Sequence, residues 1–254
     1  MSELKTKVVL ELSARFPSDL VDALVSSYEK VVVEFRKGAW DETLWKAGKF
    51  TENVFRLLCC VVHGKAPSEV SNIRELKKEL EDLPSDIYPD SVRLLIPRIA
   101  SAMIYDPRSK KGAVHVKPVD PDYMDATLVV SACDWVLAEL IRLYHTKEPK
   151  EIQDIIRSIV ARKVPFVERH GEEVFVVVPL GAEDEILLLL LDNRDGFNRS
   201  DIGKSIGIFY APPRVTEALH ALQEKRFIVP TSDGRYVITG PGESHISALI
   251  LRMK

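Results

Sequence analysis

Through most of the first 145 residues, apolar side chains recur three and four positions apart, and that spacing commits the region to packed helices. Leu20, Leu24, Tyr28, Val31 and Val32 mark one helix over residues 19–37, with Ser18 placed to cap it and Gly38 to break it. Leu44, Ala47, Phe50, Val54 and Leu57 mark a second over 41–63, stopped by Gly64. A short charged helix, NIRELKKELEDL, ends before Pro84. A fourth helix over 89–105 presents Leu94, Leu95, Ile99 and Met103, and Pro97 inside it predicts a kink. A fifth covers 122–145. Long amphipathic helices of this kind bury their faces against one another as a bundle.

Composition narrows the function classes. At 254 residues and 46% hydrophobic, the chain has enough apolar material for one large core or two smaller ones. Its longest apolar runs, Leu57 to Val62 and Ile186 to Leu191, fall far short of the roughly 20 residues a membrane helix needs. The N-terminus MSELKTKVVLELS has no signal-peptide pattern, so a soluble, cytoplasmic protein without a membrane partner is expected. The net charge of −3 offers nucleic acid no global attraction, and any such site must be a local basic patch. Cys59, Cys60 and Cys133 lack metal-ligand spacing and read as small buried hydrophobes. Phosphate-loop, zinc-protease and nucleophile-elbow patterns are all missing, and neither a metal nor a cofactor is expected.

Between the fourth and fifth helices lies DPRSKKGAVHVKPVDPD, long for a helix–helix connection, and long connections are often functional. It contains Arg108, six residues, and then His115. A bundle with Arg-x(4–6)-His before its last long helix, together with the flanking IYDPRSKKGAVHV and DATLVVSACDWVLAELIRLYH, resembles the HEPN (higher eukaryotes and prokaryotes nucleotide-binding) superfamily. The similarity is to its defence and abortive-infection members, and it spans residues 15–147. In that family the residue after the Arg is usually Asn or another polar group; here it is Ser109.

The resemblance implies a metal-independent endoribonuclease of a phage-defence or toxin-like system, with Arg108 and His115 as catalytic residues. It also implies a homodimer, in which both copies of the pair share one cleft. The chemistry suits the residue types. The substrate's own 2′-hydroxyl is the nucleophile, histidine moves protons near neutral pH, and a guanidinium holds phosphate oxygens. Lys110, Lys111 and Lys117 are suited to the RNA backbone. A purely structural use stands beside this one, with His115 as a cap and Arg108 paired to Asp106, Asp120 or Asp122. Lys49, Glu52 and Arg56 form one stripe on the second helix, facing either the cleft or solvent.

After His145 the pattern changes. TKEPKE reads as a linker, followed by a helix over 151–162 and a hairpin from VPFVER and EEVFVVVP. From residue 181 the order is helix, short helix capped by Asn198 or Ser200, longer helix over 214–225, then strands RFIVP and RYVIT around Ser232, Asp233 and Gly234. That order resembles a winged helix-turn-helix over 181–240. Arg199, Lys204, Arg214, Lys225 and Arg235 are its candidate DNA-binding cations. From residue 180 onward, 9 Lys and Arg face 10 Asp and Glu, a balance that suits a protein partner as well as DNA.

The expected architecture is therefore mainly α. Residues 1–147 form an HEPN-like bundle of four to five helices, 148–180 a connecting helix and hairpin, and 181–254 an α+β winged helix. The alternative function is a non-catalytic DNA-binding regulator, or an adaptor of a defence complex.

Overall fold

The long helix of residues 91–110 departs furthest from the sequence-based expectation. Its buried residues are Val92, Ile96, Pro97, Ala100, Ser101 and Ile104, and four of them, Val92, Ile96, Ala100 and Ile104, keep a spacing of four, while Leu95 and Met103 are exposed. Two π-helical segments, Ser91–Leu95 and Ala100–Tyr105, explain that spacing, with α5 (Ile96–Ile99) between them and α6 (Asp106–Lys110) after them. The Ile96 N–H bonds to Ser91 O and the Asp106 N–H to Ser101 O, each five residues back. Widened turns carry more residues each than an α-helix, so a row of every fourth residue stays on one face.

Proline accounts for where they sit. Pro97 and Pro107 cannot donate, and each ring would press on the carbonyl four residues earlier, Arg93 and Met103. Both of those carbonyls lie inside a π segment. The helix thus continues through both prolines, where a loop was expected from Asp106.

The computed structural model describes residues 3–110, 120–160, 163–170 and 173–253. It is mainly helical, with small antiparallel sheets, and divides into two units.

Unit 1 comprises Met1–Phe35 and Ala39–Ala161. Its helices are α1 (Glu3–Ser13), α2 (Ser18–Arg36), α3 (Trp40–His63), α4 (Ile73–Glu81), the segment 91–110, α7 (Tyr123–Tyr144) and α8 (Pro149–Val160). Gly64 ends α3 in the left-handed region, its N–H on Cys60 O, and Asp122 and Asp125 close a capping box at the start of α7. Phe50, Phe55, Leu57, Leu137 and Leu140 are fully buried. Ile152, Ile155 and Ile159 of α8 join the same core, so the helix expected in the connecting segment packs with this unit. α1, unread in the sequence, contributes Val8 and Leu12. Cys59 and Cys133 are buried, as expected of small hydrophobes, whereas Cys60 is half-buried.

Unit 2 comprises Arg36–Gly38 and Arg162–Lys254. Strands β1 (Val167–His170) and β2 (Glu173–Val176) form a hairpin with Val167 opposite Val176. Then follow α9 (Ala182–Asp192), β3 (Phe197–Asn198), α10 (Arg199–Ile206), α11 (Pro212–Glu224), β4 (Ile228–Pro230), β5 (Arg235–Ile238) and α12 (Gly240–Ile250). The second sheet is antiparallel in the order β3-β5-β4. Ile186 through Leu191 are all buried, which makes α9 the apolar centre of the unit. Asn198 caps α10 by accepting from Asp201 N. Among the described residues no helix is long and apolar enough to cross a membrane.

A buried polar link ties α2 to α7. The Tyr28 hydroxyl donates to Asp134 Oδ1 at 2.7 Å. Tyr28→Phe leaves a buried carboxylate short of a donor, and the expected loss is about 1–3 kcal/mol of unfolding free energy, read by urea denaturation.

Candidate functional site

Arg108 occupies the next position in the row Val92, Ile96, Ala100, Ile104, so the four-residue spacing that buries the long helix also carries this guanidinium toward α3. Its partner surface there is Gly48, a buried residue. A Cβ at that position would stand 2.8 Å from Arg108 Nε and 2.9 Å from Cδ, so the close approach requires glycine. The guanidinium also lies over the Tyr105 ring, 5.3 Å from its centroid.

Among the described residues the half-buried Arg108 has no carboxylate partner. Among the described residues its Nε is buried without a hydrogen bond, and none of Asp106, Asp120 and Asp122 pairs with it. The Ser109 hydroxyl bonds back to Asp106 O at 3.2 Å, and Lys110 is exposed. His115, Lys111 and Lys117 lie outside the described residues. Of the stripe on α3, Arg56 serves structure, with Nε on Pro67 O at 2.9 Å and Nη1 on Asn53 Oδ1 at 3.0 Å. Lys49 Nζ lies over the Trp45 ring, 5.2 Å from its centroid. Gly48, one position before Lys49, is the α3 residue the sequence reading missed. A lone glycine in a helix was the available signal, since glycine there costs stability unless packing needs it.

In unit 2 each candidate DNA-binding cation is already engaged. Lys204 pairs with Asp201 at 3.1 Å, Arg214 with Glu217 at 3.3 Å, Lys225 with Glu183 at 2.6 Å and Arg235 with Asp233 at 3.1 Å. Arg199 Nη2 donates to Thr216 Oγ1. The turn between α10 and α11 instead displays Ile208 and Phe209, 68% and 66% exposed.

The acidic start of α9 divides between surface and interior. Glu183 and Asp184 pair with Lys225 and His245, but Glu185 is only 3% exposed. Its Oε1 is 3.1 Å from the Tyr210 hydroxyl and 3.3 Å from Leu180 N, while its Oε2 has no partner among the described residues. The Tyr210 hydroxyl has one proton to share between two acceptors, Glu185 Oε1 and Leu180 O. Burial pushes the Glu185 carboxyl above its ordinary 4.5, and burial with Glu185 beside it raises the Tyr210 phenol.

No protein-family model, curated protein or solved structure matches the chain. The site's chemistry therefore rests on its own geometry and on the sequence motif.

Because the folded state holds the Glu185 proton more tightly than the unfolded chain does, the contribution is whole below the ordinary carboxyl range. It is lost as pH rises through the raised folded value. Glu185→Gln should remove this slope. Unfolding curves from pH 4 to 7.5 are expected to show the variant gaining on the wild type as pH rises; a constant difference would mean that Glu185 carries no such linkage.

Proposed function

We propose that the chain is a metal-independent endoribonuclease of a defence or toxin-like system, with Arg108 and His115 as its catalytic pair. The observation that carries this reading is a guanidinium held against Gly48 with no carboxylate among the described residues to neutralise it. An arginine that served only to stabilise the bundle would be expected to have an acidic partner, and Asp106, Asp120 and Asp122 are close in sequence. An arginine kept for a phosphate needs none until substrate arrives.

In the reaction the 2′-oxygen of RNA attacks the adjacent phosphorus and loses its proton to a base. The P–O5′ bond breaks, and the leaving oxygen takes up a proton. The products are a 2′,3′-cyclic phosphate and a 5′-hydroxyl. Arg108 stabilises the charge on the phosphoryl oxygens and His115 handles a proton. A second copy of the chain, as in the resembling nucleases, supplies the second Arg and His in a homodimer.

For unit 2 we propose a winged helix, supported by the element order and by the three-stranded sheet β3-β5-β4. Its engaged cations and its exposed Ile208 and Phe209 favour a protein partner over duplex DNA. On this reading unit 2 recruits or is restrained by another protein, and the regulator alternative loses the basic footprint it requires.

Mixed RNA incubated in EDTA is expected to be cleaved by wild type to cyclic phosphate ends. His115→Ala should lower the rate by about 10²–10⁴-fold, the range for losing a positioned acid or base. Arg108→Ala should also abolish most of the cleavage. Absence of cleavage by a confirmed wild-type dimer would remove the nuclease reading.

Gly48→Ala separates site from fold. Alanine favours a helix interior by roughly 1 kcal/mol over glycine, and the group in its way is a flexible arginine. The variant is expected to melt no lower than wild type while losing most cleavage, because the new Cβ displaces Arg108. Equal activity at equal stability would show that Arg108 needs no such seat.

A further inference from the structure

α4 carries its charges in two separate stripes. Arg74, Lys77, Lys78 and Glu81 fall at i, i+3, i+4 and i+7 and share one face, while Glu75, Glu79 and Asp82 fall elsewhere on the turn. The basic stripe forms one wall of a groove of about 660 Å³ within unit 1, and the end of the long helix forms the other. Lys110 and Asp106 lie on that second wall, as does Tyr105. Four cations thus face two carboxylates in a chain whose net charge is −3.

The acids are the groups already neutralised or outnumbered. Glu81 is held by Arg98 at 2.8 Å and approached by Lys77 at 3.8 Å, and its hydrogen bond to Arg98 keeps its carboxyl below the ordinary value. Arg74, Lys78 and Lys110 make no ion pair among the described residues. Arg74, Lys78 and Lys110 are also exposed, ready to exchange counterions for a ligand.

Tyr105 connects this groove to the catalytic arginine. Tyr105 lines the groove, and its ring carries the Arg108 guanidinium at 5.3 Å. A basic wall suits a phosphodiester backbone, and an aromatic side chain on the opposite wall gives an unpaired base a face to stack on. We propose that this groove is the track along which single-stranded RNA reaches Arg108, with Arg74, Lys78 and Lys110 neutralising successive phosphates. The direction toward Arg108 rests on the ribonuclease reading; the binding of the strand does not.

The test is fluorescence anisotropy of a short labelled oligouridylate with the full chain carrying His115→Ala, so that cleavage does not intrude. Three phosphates neutralised on a single strand give a slope of log affinity against log salt of about −2, and removing two of those contacts brings it to about −0.7. Arg74→Glu with Lys78→Glu is therefore expected to weaken binding more than tenfold at low salt and flatten the slope. Lys110→Glu, on the other wall, should weaken binding too and keeps the test open if the α4 variant does not fold. Unchanged affinity and slope in folded variants would overturn the track, as would no binding at all. Displacement of the RNA by polyglutamate at equal charge would overturn it in favour of an acidic protein. If the variants lose binding but the intact chain never cleaves, the track stands and the nuclease reading falls. If cleavage persists with unchanged KM in the charge-reversed chain, the nuclease reading stands and the track falls.

Discussion

Two prolines that cannot donate set the geometry on which unit 1 depends. Pro97 and Pro107 interrupt a helix that would otherwise follow the ordinary 3.6-residue repeat, and the backbone answers by widening the turn before each. The widened turns change which residues meet the core. Val92, Ile96, Ala100 and Ile104 line up, and Arg108 inherits the next place. The position of a charged group at the edge of the bundle is thus a product of apolar packing and proline sterics. No ion pair directs it among the described residues.

The seat on α3 completes the arrangement. Gly48 has no side chain, and the arginine stem fills the space one would take. Tyr105, one turn before, offers its ring to the same guanidinium. These neighbours fix the arginine without satisfying it, since its Nε has no acceptor among the described residues. A buried donor left open costs stability, and such a cost is commonly found where a ligand completes the set.

Much of this fold is legible in the chain, and the exceptions have physical causes. α2, α3 and α7 follow the 3.6-residue rule, and the stop of α3 at Gly64 is readable from residue type. The long helix escapes that rule because its apolar row repeats every four residues: a 3.6-residue repeat selects Leu95 and Met103, which are exposed. α6 was expected to be loop because Pro107 and a polar run ordinarily end a helix. β3 spans only two residues and exists through pairing with β5, a partner far along the chain. Arg108 stands out in the sequence through its spacing to His115, and Lys110 through its place in the same run. Gly48 was missed because a close approach belongs to the fold and leaves no pattern in the sequence. Nothing in the sequence separates Glu185 from Glu183 and Asp184, since residue type does not tell which of three adjacent carboxylates faces inward.

The long helix also behaves as a ruler. Each residue on a helix advances the next by roughly 100° around the axis, so removing one residue between Val92 and Ile104 would swing Arg108 about a quarter-turn away from Gly48. Substitutions along the exposed side leave its length unaltered. The exposed side of this stretch should therefore accept many changes of letter, and the stretch as a whole almost no change of length.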